Sequence, residues 1–188
     1  MDKRVGFGPR LGAVLIDMII VGVVGLVVGL VVGGAIGGML GGGAGGALGA
    51  ALSGSAGDTT AGGAALGAAL GAVIGAMAAL GGFVFLYSLI EAFAGASPGK
   101  MVLKLKVGLE DGRQASVSTY VARWAVKYVG TLLGMVALLP GLHLLGLLAL
   151  PAAVVILIGC FLVLGDKRQA LHDIAARTAV FRKSDLMA

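Results

Sequence analysis

Long apolar runs separated by short polar stretches dominate the chain, and their lengths predict helices that cross a membrane. The first run extends from about Arg10 to Val32 and the second covers roughly 64 to 90. Both exceed the ~18 residues that mark a span candidate. A third apolar region continues from 119 to 164. A span takes about 20 residues, and Pro140-Gly141 with His143 interrupts this region, so it divides into spans of about 119–139 and 144–164. The expected fold is an all-α membrane protein, a four-helix transmembrane bundle (10–32, 64–90, 119–139, 144–164) with a small polar segment.

The pattern changes after the turn signal Ser97-Pro98-Gly99. Met101, Leu103, Leu105 and Val107 face one way, and Val102, Lys104 and Lys106 face the other. That period of two predicts a half-buried strand. Glu110-Asp111-Gly112-Arg113 reads as a turn, and Ser116-Val117-Ser118 leads into a helix. Thr178-Ala179-Val180-Phe181 offers a second short strand in the tail. Two such strands are marginal on their own.

Glycine follows a different period. Gly25, Gly29, Gly33, Gly37, Gly41, Gly45 and Gly49 recur every four residues, as do Gly63, Gly67, Gly71 and Gly75. In water each would weaken a helix by about 1 kcal/mol relative to alanine. In lipid the backbone must bond internally, and small residues at this spacing let two helices approach closely. Four residues overshoot a 3.6-residue turn by about 40°, so the ridge spirals and favours a crossed, glycine-zipper pair. The series fits a hairpin packed within one subunit, and it fits a self-association surface of a homo-oligomer. The glycine-rich insertion 33–63 contains no lysine or arginine, and Ser53-Gly54-Ser55-Ala56-Gly57-Asp58 is its best turn candidate. Its register reads as helix projecting beyond, or re-entering, the membrane; its composition also fits a low-complexity loop.

Composition agrees with lipid as solvent. Residues are 59% hydrophobic and 12% charged, against about 25% charged in soluble domains. A single core could not hide that much apolar surface. The net charge of +5 would suit nucleic acid, but all 14 lysines and arginines fall before residue 11, between 100 and 127, or after 166. Each group flanks an apolar run, where basic residues set topology and meet anionic lipid. Nucleic acid is excluded on that ground. With the loop 91–118 and the tail 165–188 on the basic side, the expectation is four spans with both termini in the cytoplasm of an inner membrane. Lys3 and Arg4 ahead of an apolar stretch resemble a signal peptide, but Asp17 interrupts it, so this is read as an uncleaved span.

Ionisable residues inside spans cost about 2.5–3.5 kcal/mol on insertion scales, so each needs a reason. Arg10 and Asp17 lie two helical turns apart on one face, roughly 10 Å along the axis. The arginine can snorkel to the headgroups, and Asp17 then needs a partner from another helix. Arg123 and Lys127, one turn apart in the third span, have the right sign, which predicts an Asp17–Arg123 pair. One reading is that this pair does no more than set helix register. The alternative is that Asp17 titrates and binds a cation or proton, with Glu91 as a second acid. Arg10, Asp17, Glu91, Arg123 and Lys127 therefore form the candidate intramembrane charge site.

No chemistry of catalysis is visible. Gly95-Ala96-Ser97-Pro98-Gly99-Lys100 is one residue short of a P-loop and is followed by Met101 where Ser or Thr is needed. His143, His172 and Cys160 share no metal-ligand spacing, and the lone cysteine allows no intramolecular disulfide. No enzyme, cofactor or metal is expected.

Arg10-Leu11-Gly12-Ala13-Val14-Leu15-Ile16-Asp17 resembles the opening of the RDD family of bacterial membrane proteins, named for one arginine and two aspartates. Ser97-Pro98-Gly99-Lys100, Leu105-Lys106-Val107 and Asp111-Gly112-Arg113 look like its central loop, with Arg123 as the arginine that follows. Gln169-Ala170-Leu171-His172-Asp173 and Ala176-Arg177-Thr178-Ala179-Val180 look like its closing segment. The resemblance implies that Arg10, Asp17, His172 and Asp173 are signature residues, with Asp166 a second candidate for the last aspartate. It also implies a transport role, including cation/proton exchange suggested for some members. The contrasting expectation is a non-transporting scaffold or assembly factor whose basic segments bind anionic lipid or a partner protein.

Overall fold

The computed structural model describes residues 3–43 and 61–187, with side chains from 64 onward in the second stretch. The turn at Ser53–Asp58 and the glycines Gly45 and Gly49 lie outside the described residues. Among the described residues, three helices are long and apolar enough to cross a membrane: Phe7–Gly43, Ala64–Ala94 and His143–Leu164.

The first helix, α1 (Phe7–Gly43), begins one turn before Arg10 and runs past the expected end at Val32, with a π-helical stretch at Gly29–Gly34. Residues 33–43 of the glycine-rich insertion therefore continue this helix. The second, α2, is Ala61–Ala94. Short elements follow: α3 (Pro98–Val102), β1 (Leu105–Leu109), α4 (Val117–Lys127) and α5 (Val129–Val136). Next come α6 (Gly146–Cys160), extended by 3-10 turns at His143–Leu145 and Phe161–Leu164, then α7 (Leu171–Ala175) and β2 (Thr178–Arg182).

The chain divides into two compact units, residues 18–87 and residues 1–17 with 88–188. In the first, α1 and α2 run antiparallel with their glycines face to face. A Cβ placed on Gly37 would collide with the Gly71 carbonyl and lie 2.9 Å from the Gly75 Cα. One on Gly41 would lie 2.7 Å from the Gly71 Cα, after striking the Gly67 carbonyl. Gly33 faces Gly75 and Ala79, Gly29 faces the Ala76 carbonyl, and Gly25 faces Leu80 and Phe83. The large side chains of these helices, such as Met18, Ile19, Leu70 and Ile74, point outward and stay exposed. That outward apolar surface is what lipid would cover.

The second unit has a small core of its own. β1 and β2 pair antiparallel with Val107 opposite Val180, both fully buried, and Val5, Ala13, Leu105 and Tyr120 pack around them. The strand predicted from Met101 starts only at Leu105. Ser97 caps α3 by accepting from the Lys100 N–H, and Pro98 fits its first turn, so 98–102 winds as helix instead. Gly95 ends α2 at φ 69°, and a Cβ there would enter the Tyr120 ring.

The span predicted at 119–139 is not one helix. α4 ends at Lys127, and the N–H of Tyr128, its C-cap, bonds to the carbonyls of Trp124 and Val126. α5 adds only eight residues, about 12 Å of helix. The reason lies in α4, which is amphipathic and turns Tyr120, Arg123 and Trp124 into the unit's interior. α5 packs on α6 where Gly130 meets the Ala149 carbonyl and the Ala153 methyl. The break expected near Pro140 is a turn with Gly141 at φ 82°.

Candidate functional site

The second unit encloses a network of buried charges drawn from five segments. Glu91, one turn from the end of α2, is 3% exposed. Its Oε1 accepts from Lys100 Nζ and from Arg123 Nη1 at 2.6 Å, and its Oε2 accepts from Lys127 Nζ at 2.6 Å. Arg123 spreads its guanidinium across three partners. Nη1 goes to Glu91, Nε donates to Asp173 Oδ1 at 2.7 Å, and Nη2 lies 3.1 Å from His172 Nε2. Asp173, wholly buried, also accepts from Arg10 Nη1 at 2.5 Å and from the Ala170 N–H.

Arg10 completes the arrangement by donating to the carbonyls of Val5 and Arg168. It is thus held by protein acceptors, where snorkelling to headgroups was expected. A rigid planar donor set suits such multi-partner sites better than an ammonium would.

The predicted Asp17–Arg123 pair is absent, because Arg123 is taken up by Glu91, Asp173 and His172. Asp17 is instead seated on the capped start of α3. Its Oδ2 accepts from Ser97 Oγ at 2.6 Å and its Oδ1 from the Gly99 N–H at 2.7 Å. Gly99 is required there, since a Cβ would strike the Ala13 carbonyl and lie 2.8 Å from Asp17 Oδ1. The capped start of α3 therefore serves both acids: Ser97 and Gly99 hold Asp17, and Lys100 holds Glu91. Of the sequence candidates, Arg10, Glu91, Arg123, Lys127, His172 and Asp173 come together. Asp166 has no part in these bonds, and Asp17 adjoins the network through Ser97–Lys100. Ser97, Gly99 and Lys100 resemble the family's central loop, but nothing in their spacing foretells these roles.

Around this core, Arg4 donates to Gln169 Oε1 and the Glu110 carbonyl, Gln169 donates to Glu110 and the Thr178 carbonyl, and Trp124 Nε1 donates to Ser88 Oγ at 3.0 Å. Among the described residues, no three His, Cys, Asp or Glu side chains are grouped to hold a metal ion.

Electrostatics follow from burial. Asp173 is held well below the ordinary carboxylate range: burial opposes its charge, but Arg123 and Arg10 overcome that opposition. Burial, reinforced by Arg123, holds the His172 imidazole down to about 3. A guanidinium only donates, so Nε2 must accept and the ring is neutral with its proton on Nδ1. That Nδ1 is buried with no partner among the described residues. Burial and the neighbouring cations lower Lys100 to about 8 despite Glu91.

These shifts fix a pH dependence. The folded imidazole resists a proton that the unfolded one accepts near 6.5, so the unfolded state binds more protons below that value. Stability is full above about 6.5 and declines as pH falls towards 3. Asp173 adds a loss with the same sign, but only below about 4. The unfolding midpoint in micelles should therefore fall between pH 7 and 4.5, and His172→Gln should flatten that slope. An equal slope in the variant would refute this assignment.

Apolar helices of spanning length, carried with a compact polar unit of buried ion pairs, define a multi-pass integral membrane protein. The model of the RDD family matches residues 4–177, and the chain belongs to that family. No curated protein and no solved structure matches it.

Proposed function

We propose that this protein is a non-transporting membrane scaffold whose basic unit engages anionic lipid. The observation that supports this reading is the state of the interior acids. Glu91 is gripped by Lys100, Arg123 and Lys127, and Asp173 by Arg10 and Arg123. A carboxylate that exchanges cations must release them in turn. These two act as fixed cross-links among α1, α2, α3, α4 and α7. Breaking such a pair leaves a buried charge uncompensated at about 3–5 kcal/mol, which opposes a cycle of release.

The remaining architecture fits a scaffold with no enzymatic role. The charge asymmetry favours an inner membrane with both termini cytoplasmic, and α4 with α5 would together supply a fourth crossing. The glycine contacts between α1 and α2 favour a zipper within one chain, which leaves less reason for a homo-oligomer built on the same glycines.

Cation/proton exchange centred on Asp17 is the second reading, favoured by ionisable groups at the end of a spanning helix. A liposome flux assay separates the two. Under sodium, potassium or proton gradients, wild type and Asp17→Asn should both give background rates. Wild-type flux abolished by Asp17→Asn would overturn the scaffold.

A further inference from the structure

Beside the network lies a cavity of about 320 Å³ whose lining belongs wholly to the second unit. Its charged walls are Arg10, Lys100, Arg123 and Lys127; neither Glu91 nor Asp173 lines it. With four cations and no carboxylate among the lining residues, the surface presented to the cavity is positive. The linked network holds these four cations against two carboxylates, which leaves two positive charges unbalanced. Donors are in surplus as well. Each ammonium carries three N–H groups, while Lys100 and Lys127 each donate to one carboxylate oxygen. His172 is also in the wall, as a neutral ring that adds no opposing charge. Buried donors without acceptors cost about 1–3 kcal/mol each, so this wall suits an anion with several acceptor oxygens.

The rest of the lining has a different character. Leu11 and Val14 of α1 and Leu157 and Phe161 at the end of α6 line the cavity and are 44–64% exposed. They lie on helices that meet lipid, so the cavity adjoins surface that acyl chains would cover. Its volume is at the low end for small-molecule sites, about 300–1,000 Å³, enough for a headgroup but not for a whole lipid. Basic pockets between membrane helices are suited to such headgroups.

We propose that this cavity seats the phosphate of an anionic phospholipid between Arg10, Lys100, Arg123 and Lys127, with its acyl chains against Leu11, Val14, Leu157 and Phe161. The seat rests on the scaffold reading only in taking lipid as the partner. It makes the protein a recognition element for anionic lipid at one built position, beyond a general attraction of its basic loops.

The test uses the full chain in a zwitterionic detergent, with its single tryptophan, Trp124, as reporter one turn from Lys127. Short-chain phosphatidylglycerol should give saturable binding, while phosphatidylcholine and inorganic phosphate should bind at least tenfold more weakly. Lys127→Gln leaves Glu91 with Lys100 and Arg123, so it should fold and weaken phosphatidylglycerol about tenfold. Leu157→Trp keeps every charge and should also weaken it by obstructing the apolar wall, read by isothermal titration because it adds a second indole. Lys106→Gln, outside the cavity, should change nothing.

Equal binding of phosphatidylcholine, phosphate as tight as lipid, or equal losses in Lys106→Gln and Lys127→Gln would each overturn the seat. Ion flux in liposomes alongside selective phosphatidylglycerol binding would instead sink the scaffold and leave the seat standing.

Discussion

Arg123→Met should destabilise the protein by about 3–5 kcal/mol, the range for removing one partner from a buried ionic cluster. Arg123 is 2% exposed and bonds Glu91, Asp173 and His172 at once. Without it, Asp173 keeps only Arg10 among its ionic partners, and His172 loses the donor to its Nε2. Arg123→Lys preserves the charge but cannot reach three partners from one ammonium, so it should recover less than half of the loss. Unfolding followed by Trp124 fluorescence checks both variants. A Met variant that melts with wild type would mean that the cluster contributes nothing to the fold.

The second large effect belongs to the glycines. Gly37→Val should force α1 away from α2, because its side chain would enter the Gly71 carbonyl and the Gly75 Cα. Overpacking of side chains costs about 1–3 kcal/mol. Here the obstacle is backbone, which cannot rotate aside, so the upper end or beyond is expected. Gly81→Ala is the internal control, since no atom lies within 4 Å of its Cβ position. That change should be neutral, or stabilising by up to about 1 kcal/mol through helix propensity. The comparison is made by unfolding midpoint in the same micelles, and equal losses at both positions would refute the close approach.

The membrane class was legible because it rests on run length, which one sequence displays directly. The paired glycines were legible for a related reason: a four-residue period survives as a stripe on any helix. The strands were half legible. Alternation marked Leu105 and Val107, but it extended falsely to Met101, where a Ser97 cap and Pro98 impose a helical turn.

The ion pairs were the hardest to read. Arg123 and Asp17 had opposite signs and similar expected depths, yet three acids competed for one arginine. Sign and depth do not rank Asp17, Glu91 and Asp173. What removed Asp17 from the competition was a hydroxyl and a backbone N–H in the next loop, and backbone donors leave no mark in a sequence. Arg10 stood out by its place in the first span and Asp173 only through the family resemblance, and their pairing was not legible, since no spacing rule connects residues so far apart.

That separation has a consequence for synthesis. Arg10 and Asp173 are bonded across 163 positions. At roughly 5–20 residues per second of translation, the arginine is made on the order of ten seconds or more before its carboxylate exists. Arg123 emerges in the interval too, able to meet Glu91 but not Asp173. The first helices must enter the bilayer with their charged ends still open, and the closing segment locks them afterwards. A chain stalled on the ribosome before α7 would hold Arg10 and Arg123 without the Asp173 carboxylate that bonds both.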